Sequence, residues 1–331
     1  ITESKREEIM KTLKLTNFLI IAMAIVISLS FIPVAGSADY PTKAVSMLIP
    51  FGVGGSADVM GRALANGTKG SLGQPIVAIN RPGAGGGIMY TALKNAKPDG
   101  YTVGWNSTSI LTSTNIGNVP FKYNAFEHVC RIGYTTMPIA VRAAAPWKTF
   151  TEMINWAKKN PGKLKIGNAG TGSGTHLVAV LVEKEMGIQV VHVPLGGKRR
   201  VPSLLGGEVE AICVPMPEAA PQVMAGQMRL LGVASDKRDP KFPDVPTLTE
   251  EKCPVVLGLF RGISVPKGTP KHVISKLAEA FEKGSQDASF KNIAATKGFQ
   301  VSFQNNAEFE KYLKEQNEIV ARGLKLGGLV K

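Results

Sequence analysis

The chain is poor in the residues that usually carry chemistry. Its 331 residues include three cysteines and four histidines. Cys130, Cys213 and Cys253 lie far apart and form no C-x-x-C pair. A structural zinc site therefore has no ligand set, and no metal is expected. In an oxidising compartment one disulfide plus one free thiol is an open arrangement, and spacing alone assigns no pairing. Among the histidines, His176 follows Ser173 in "TGSGTH", but G-x-S-x-G is absent and no nucleophile elbow is signalled. No G-x-x-x-x-G-K-[ST] phosphate loop occurs. Gly52, Gly54 and Ala57 fit G-x-G-x-x-A, yet the acidic residue that should follow about 20 positions later to hold a ribose is missing. After Asp58 the next acid is Asp99. No cofactor is expected, and the chain reads as a non-enzyme.

Acidic residues are also scarce, 25 against 39 Lys and Arg, for a net charge of +14. The basic residues are scattered. Their densest cluster is "GKRR" (Gly197 to Arg200), with no aromatic run through it. Nucleic acid is therefore not an expected partner. A field of this sign does raise the local concentration of small anions.

Only one long apolar run exists. Lys5, Arg6, Lys11 and Lys14 precede uncharged sequence from Phe18 to Ala38, which ends in Pro33 and then Gly36-Ser37-Ala38. A basic region, an apolar stretch and a small-residue terminus describe a cleavable export signal over 1–38, with a retained anchor as the alternative. The expected location is the periplasm.

From Tyr40 onward, short apolar runs alternate with helical stretches. "AVSMLI", "PIVAIN" and "YTVGWN" are separated by helix-forming sequence. A second series holds "KLKIGN", "IQVVHV", "VEAICV" and "MRLLGVA", after a helix that opens at Thr149 and Glu152 with capping-box spacing. "RGISVP", two long helical stretches and the short "FQVSF" close the chain. This alternation argues for an α/β protein with mostly parallel sheets flanked by helices. Each half carries an apolar strand, a glycine loop and a helix. The loops are "FGVGGSAD" (Phe51 to Asp58) and "GNAGTGSGTH" (Gly167 to His176).

Such loops suit anions. The first turn of a helix has four backbone N–H groups without intrahelical partners, and their dipoles sum to about half a positive charge. Glycine lets a ligand approach that backbone closely. A strand–glycine–helix junction is thus an anion site, and in open α/β sheets it faces the ligand crevice. The competing reading is a plain turn in which Ser56 or Asp58 caps the helix.

The order of the pieces resembles a known family. "YPTKAVSMLIPFGVGGSADVMGRALA", "NRPGAGGGI", "KPDGYTV", "NPGKLKIGNAGTGSGTHL", "VPLGG", "LLGGEVEA", "AGQMRLLGVASDKR" and "DVPTLTE" follow one another as they do in the Bug-type periplasmic receptors of tripartite tricarboxylate transporters. The resemblance runs from about Tyr40 to the C-terminus. It implies a two-lobe periplasmic-binding-protein fold that closes like a flytrap. The expected division is lobe 1 over 39–138, lobe 2 over 139–262 and a return to lobe 1 over 263–331. It implies a monomer that captures a small di- or tricarboxylate or related organic acid. The partners would be the transporter's membrane subunits; a sensor kinase, or an enzyme acting on a small acid, is the alternative destination or activity.

Carried across residue by residue, the resemblance places Phe51, Gly52, Gly54, Gly55, Ser56, Ala57 and Asp58 at the ligand. From the second loop it adds Gly170, Thr171, Gly172, Ser173, Thr175 and His176. Asn106, Ser107, Thr108 and Ser109 follow a strand where the family lines its cleft, as do Pro215 and Met216. Gly196 and Gly197 belong to "VPLGG", where Leu195 stands in place of the family's usual tyrosine. Lys198 is the expected replacement cation, against a solvated basic turn.

Overall fold

The computed structural model describes residues 40–330 continuously and, before them, residues 2, 3, 5, 6, 10, 12–18, 20 and 23. The chain divides into a leading unit, 1–40, and a main unit, 41–331. In the leading unit residues 12–18 are helical. Much of the expected export signal, including all of 24–38, lies outside the described residues. Among the described residues no helix is long and apolar enough to cross a membrane.

The main unit builds the same motif twice. Strand β1 (Val45–Ile49), helix α1 (Ser56–Leu72), β2 (Ile76–Asn80), α2 (Gly87–Lys94) and β3 (Thr102–Ser107) come first. Both β2 and β3 pair parallel to β1. After α3 (Ser109–Ile116), the long β4 (Phe126–Thr135) runs into β5 (Pro138–Arg142). Helix α4 (Phe150–Lys159) then leads to β6 (Leu164–Asn168), α5 (Gly174–Met186), β7 (Val190–Pro194), α6 (Gly196–Leu205) and β8 (Ala211–Cys213). Here β7 and β8 both pair parallel to β6, repeating the first motif. The remaining elements are α7 (Met216–Met224), β9 (Met228–Val233), β10 (Leu259–Pro266), α8 (Lys271–Gln286), α9 (Ala288–Lys297), β11 (Gln300–Gln304) and α10 (Asn306–Leu326).

Two sheets result, ordered β11-β4-β10-β3-β1-β2 and β7-β6-β8-β5-β9. Each is parallel through its strand–loop–helix motif. Beyond the motif each is antiparallel, at β10, β4 and β11 in one sheet and at β5 and β9 in the other. The sheets are therefore mixed where the sequence suggests mostly parallel strands. The strands that adjoin the parallel motifs, β10 and β5, arrive from the other sheet rather than through a helical crossover, so nothing forces them parallel. The chain passes between sheets at Thr136-Met137 and again before Leu259. Because β10 pairs with β4 from Leu259 onward, the division at 262/263 falls inside one strand.

Local chemistry accounts for several boundaries. Thr149 and Glu152 form the expected capping box on α4. The second-motif helix α5 starts at Gly174, because Ser173 accepts the His176 N–H and caps it. Helix α3, "SILTSTNI", is poor in strong helix formers. It is buried on nearly every side, and the Thr114 hydroxyl bonds back to the Ile110 carbonyl. Helices α6, α7 and α9 carry weak sequence signals, since α6 opens on a glycine pair, prolines lie within α6 and α7, and only the Asp287 cap separates α9 from α8.

Packing positions the first glycine loop. Gly61 lets α1 lie flush on the sheet, for a Cβ there would stand 3.0 Å from Trp105 and 3.1 Å from Ile49. The Trp105 indole N–H donates to the Ala57 carbonyl at 2.9 Å, fixing the first turn of α1 over β3. At its far end α1 crosses α8 almost backbone to backbone. A Cβ on Gly284 would lie 2.8 Å from the Thr68 Cα and closer still to its hydroxyl. Alanine gains about 1 kcal/mol over glycine in a helix interior, but overpacking costs about 1–3 kcal/mol. With main chain as the obstacle, the overpacking term wins. Gly284→Ala should lower stability to urea by about 1–2 kcal/mol. Gly70→Ala on the exposed side of α1, with open space around its Cβ, should raise it by up to about 1 kcal/mol.

Candidate functional site

Both glycine loops run from a strand end to a helix start. Gly54 takes φ +82° and Gly55 occupies the N-cap of α1 without any side-chain cap. The loop is braced from behind. Asp58 accepts from the Gly54 N–H at 3.0 Å, from Arg62 at 2.8 Å and from Asn80 at 3.0 Å. Asn80 also donates to the Phe51 carbonyl. Asp58 is thus a buried brace and does not line the cleft.

The second loop satisfies much of its own backbone. The Ala169 N–H donates to the Thr175 hydroxyl, Gly170 to Asn168, Gly172 to His176 Nδ1 and Ser173 to the Gly170 carbonyl. Burial pushes His176 down to about 4, so its Nδ1 is an unprotonated acceptor at neutral pH.

Where the two motifs meet, glycine faces glycine. A Cβ on Gly55 would lie 3.2 Å from the Gly197 Cα, and one on Gly85 would lie 2.7 Å from the Thr171 carbonyl. Two chambers flank these contacts. The inner one, about 20 Å³, is lined by Phe51, Gly55, Ser56, Ala57, Ser107, Ser173, Thr175, Gly197 and Pro215 from the expected set. Ala169, Gly174, Arg200, Glu218, Leu259 and Arg261 complete it. The outer one is an open hollow of about 480 Å³ that takes Phe51, Gly52, Gly170, Thr171, Gly196 and Gly197 from the expected set. The run Pro82 to Gly86, with Ala169 and Pro194, completes its lining, which holds no charged side chain.

The inner chamber is strongly polar on one side. Glu218, on the first turn of α7, accepts from the Ser56 N–H at 2.8 Å. Arg200 grips the same carboxylate through Nη2 at 2.6 and 2.7 Å. The pair is buried, with side-chain exposures of 3% and 7%. A carboxylate therefore already sits on the amide that opens α1, and it belongs to the protein itself. Arg261, 2% exposed, lies on β10 across from Ser107. Its Nε and Nη1 have no partner among the described residues, and neither do Ser56 Oγ and Arg200 Nε. Burial lowers Arg261 to about 10, which leaves it cationic at neutral pH.

The other expected residues lie elsewhere. Asn106 bonds to Ser264 within the sheet, and Thr108 ties the crossing segment through the Gly258 carbonyl and the Phe260 N–H. Ser109 bonds to Tyr90 and Ser107. Gly172 packs on Asn118, and Met216 is buried against Gly298. His176 faces its own loop and the His192 ring. Lys198 is exposed and lines neither chamber; Arg200, two residues on, points inward instead. The signal for Arg200 and Glu218 was out of reach, since both depend on helices the sequence hides. Arg261 did leave one: a lone charge in the apolar strand "LFRGISVP" calls for a partner.

All three cysteines are free and buried. Burial pushes the Cys213 and Cys253 thiols up to about 12 and that of Cys130 higher still. Among the described residues no cluster of three or more His, Cys, Asp or Glu could hold a metal.

Two α/β lobes joined by two chain crossings, with a cleft built at paired strand–glycine–helix junctions, define a solute-binding protein of the two-lobe periplasmic class. Residues 60–325 match the family described as the tripartite tricarboxylate transporter family receptor. A Cupriavidus necator protein, "UPF0065 protein in gbd 5'region", is 31% identical over 301 residues, covering 89% of this chain and 91% of its own. Protein BugT of Bordetella pertussis is 32% identical over 280 residues, covering 81% and 86%. The solved periplasmic binding protein BugD superposes with TM-score 0.84 at 29% identity, over 88% of this chain and 99% of its own. The chain belongs to the tripartite tricarboxylate transporter receptor family.

Two outcomes follow from the site. Removing one member of a buried ion pair strands the other charge and costs about 3–5 kcal/mol. Arg200→Met should therefore lose about that much in chemical denaturation, and Arg200→Met combined with Glu218→Met should recover most of it. The unfolded chain carries His176 near its ordinary 6.5 while the fold holds it at about 4. Between these values the unfolded state binds more protons, so stability falls as pH drops from 6.5 towards 4 and is unaffected above 7. His176→Asn should flatten that part of a melting-temperature profile.

Proposed function

We propose that this protein is a periplasmic receptor that closes on a small carboxylate and delivers it to the membrane subunits of a tripartite tricarboxylate-type transporter. The observation that carries the reading is the seat of Glu218. The amide that opens α1 and the buried Arg200 fork already hold a carboxylate where the two lobes meet. The donor set suits that group, and the family supplies the destination. In this reading residues 1–38 are the export signal. One lobe comprises the chain up to Thr135 and from Leu259 onward, with the segment between them forming the other.

Capture proceeds without chemistry. Ser173 is engaged as a helix cap, and His176 accepts from Gly172 rather than from a nucleophile. The Glu218 carboxylate in the inner chamber is taken up by Arg200 and the Ser56 N–H. Affinity comes instead from closure. A hydrogen bond to a charged group contributes roughly 1.5–3 kcal/mol. A micromolar complex needs about 8 kcal/mol net, after ordering and lost ligand freedom have subtracted several kcal/mol. One loop cannot supply this, so groups from both lobes must engage together. The inner chamber, about 20 Å³, has room for little more than a water. An acid therefore enters with the lobes apart and is enclosed as they meet.

A thermal-shift screen against succinate, malate, glutarate, adipate, citrate and benzoate should find acids that raise the melting temperature by mass action. Mass analysis after incubation should recover them unchanged. If none shifts the melting temperature, the reading fails. Gly55→Val would press a branched side chain onto Gly197 and hold the lobes apart. Calorimetry on the strongest panel acid should show affinity at least ~10-fold weaker, the loss of a single charged hydrogen bond.

A further inference from the structure

The inner chamber holds one more positive charge than negative. Glu218 is fully engaged: Oε1 accepts from Ser56 and Arg200, and Oε2 from Arg200 again. That pair is electrically closed. Arg261 is left over. It is almost fully buried, and neither Nε nor Nη1 has a hydrogen-bond partner among the described residues. Its surroundings offer no second anion. On β10 it faces Ser107 of β3 and Gly133 of β4. The nearby Tyr90 phenol is kept neutral, since burial pushes it up to about 12.

A buried cation without hydrogen-bond partners at Nε and Nη1 is costly, because water's solvation is lost and the Glu218 charge, already shared with Arg200, offsets that only in part. Arginine cannot escape by giving up its proton at neutral pH. A fold gains nothing from such a residue as a packing element; an apolar side chain of similar size would serve better. The cation makes sense once a partner arrives from outside. The chamber already provides the setting. Phe51, Leu259 and Pro215 wall off water, and the hydroxyls of Ser56 and Ser107 stand alongside. In such a dry environment a charged hydrogen bond is stronger than in solvent.

We propose that Arg261 is the direct cationic seat for one carboxylate of the bound acid, received while the lobes are apart, and that Glu218 and Arg200 tie the lobes once they close. This rests on the carboxylate-receptor reading and adds the residue that selects charge. The body of the acid then extends into the outer hollow, whose lining is uncharged backbone and small side chains. The site matches a single full negative charge. A second acidic group on the ligand meets only neutral donors.

The test compares wild type with Arg261→Met and Arg261→Lys, using the strongest binder among succinate, malate, glutarate, adipate, citrate and benzoate. Calorimetry should show affinity weakened roughly 10- to 100-fold by Arg261→Met, the equivalent of one charge-assisted hydrogen bond, and less by Arg261→Lys. The ligand-free melting temperature of Arg261→Met should equal or exceed that of wild type, since an uncompensated buried charge has been removed. Affinity within threefold of wild type would overturn the seat and leave the receptor reading standing. A ligand-free melting temperature that falls together with affinity would overturn it in favour of a structural role for Arg261. Absence of binding by wild type to every panel acid would remove the receptor reading itself, and the seat with it.

Discussion

A carboxylate resting on the first amide of a buried helix is the contact on which the closed arrangement depends. A helix start offers N–H groups that its own turns cannot satisfy, and a dipole that favours negative charge. Here Gly55 leaves that end of α1 without a side-chain cap, and Glu218 reaches it from the other lobe. Arg200 balances the charge, so the tie is neutral, short and dry. The approach of Gly55 to Gly197, where any Cβ would intrude, is what lets the carboxylate reach the amide.

The repeated motif explains why the cleft exists at all. Each lobe presents a strand, a glycine turn and a helix start at the same edge of its sheet. Bringing two such edges together creates a pocket lined by backbone and small side chains, with specificity left to a few buried polar groups. The mixed character of the sheets belongs to the same design. The strands adjoining each parallel motif arrive from the other lobe, so the links between lobes are extended chain rather than helix.

The second loop differs from the first in how it uses its backbone. Asn168, Thr175 and His176 take up several of its amides, which makes it a rigid, self-satisfied turn. The first loop is braced from behind by Asp58 and Asn80 but keeps its helix start open to a partner. Similar glycine-rich sequence thus conceals unequal roles: one loop offers donors, while the other supplies shape and close approach.

Much of this was legible before any coordinates. Apolar alternation gave the strands, Thr149 and Glu152 announced α4, and glycine at two strand ends marked the junctions, because these signals are local in the chain. The scarcity of acids, histidines and cysteines argued against metal and nucleotide chemistry for the same reason. The polar hub was not legible. Glu218 meets Ser56 across 162 positions, and whether Lys198 or Arg200 faces inward depends on the phase of a helix that a glycine pair disguises. Asp58 and His176 share loops with cleft residues yet turn away, since their partners Asn80 and Gly172 decide their direction. Sequence alone determined the strands, the two glycine turns and the strongly patterned helices. Only tertiary packing decided which charges meet in the cleft and which one, Arg261, is left without a mate, because charge pairing depends on distance in space and not on distance along the chain.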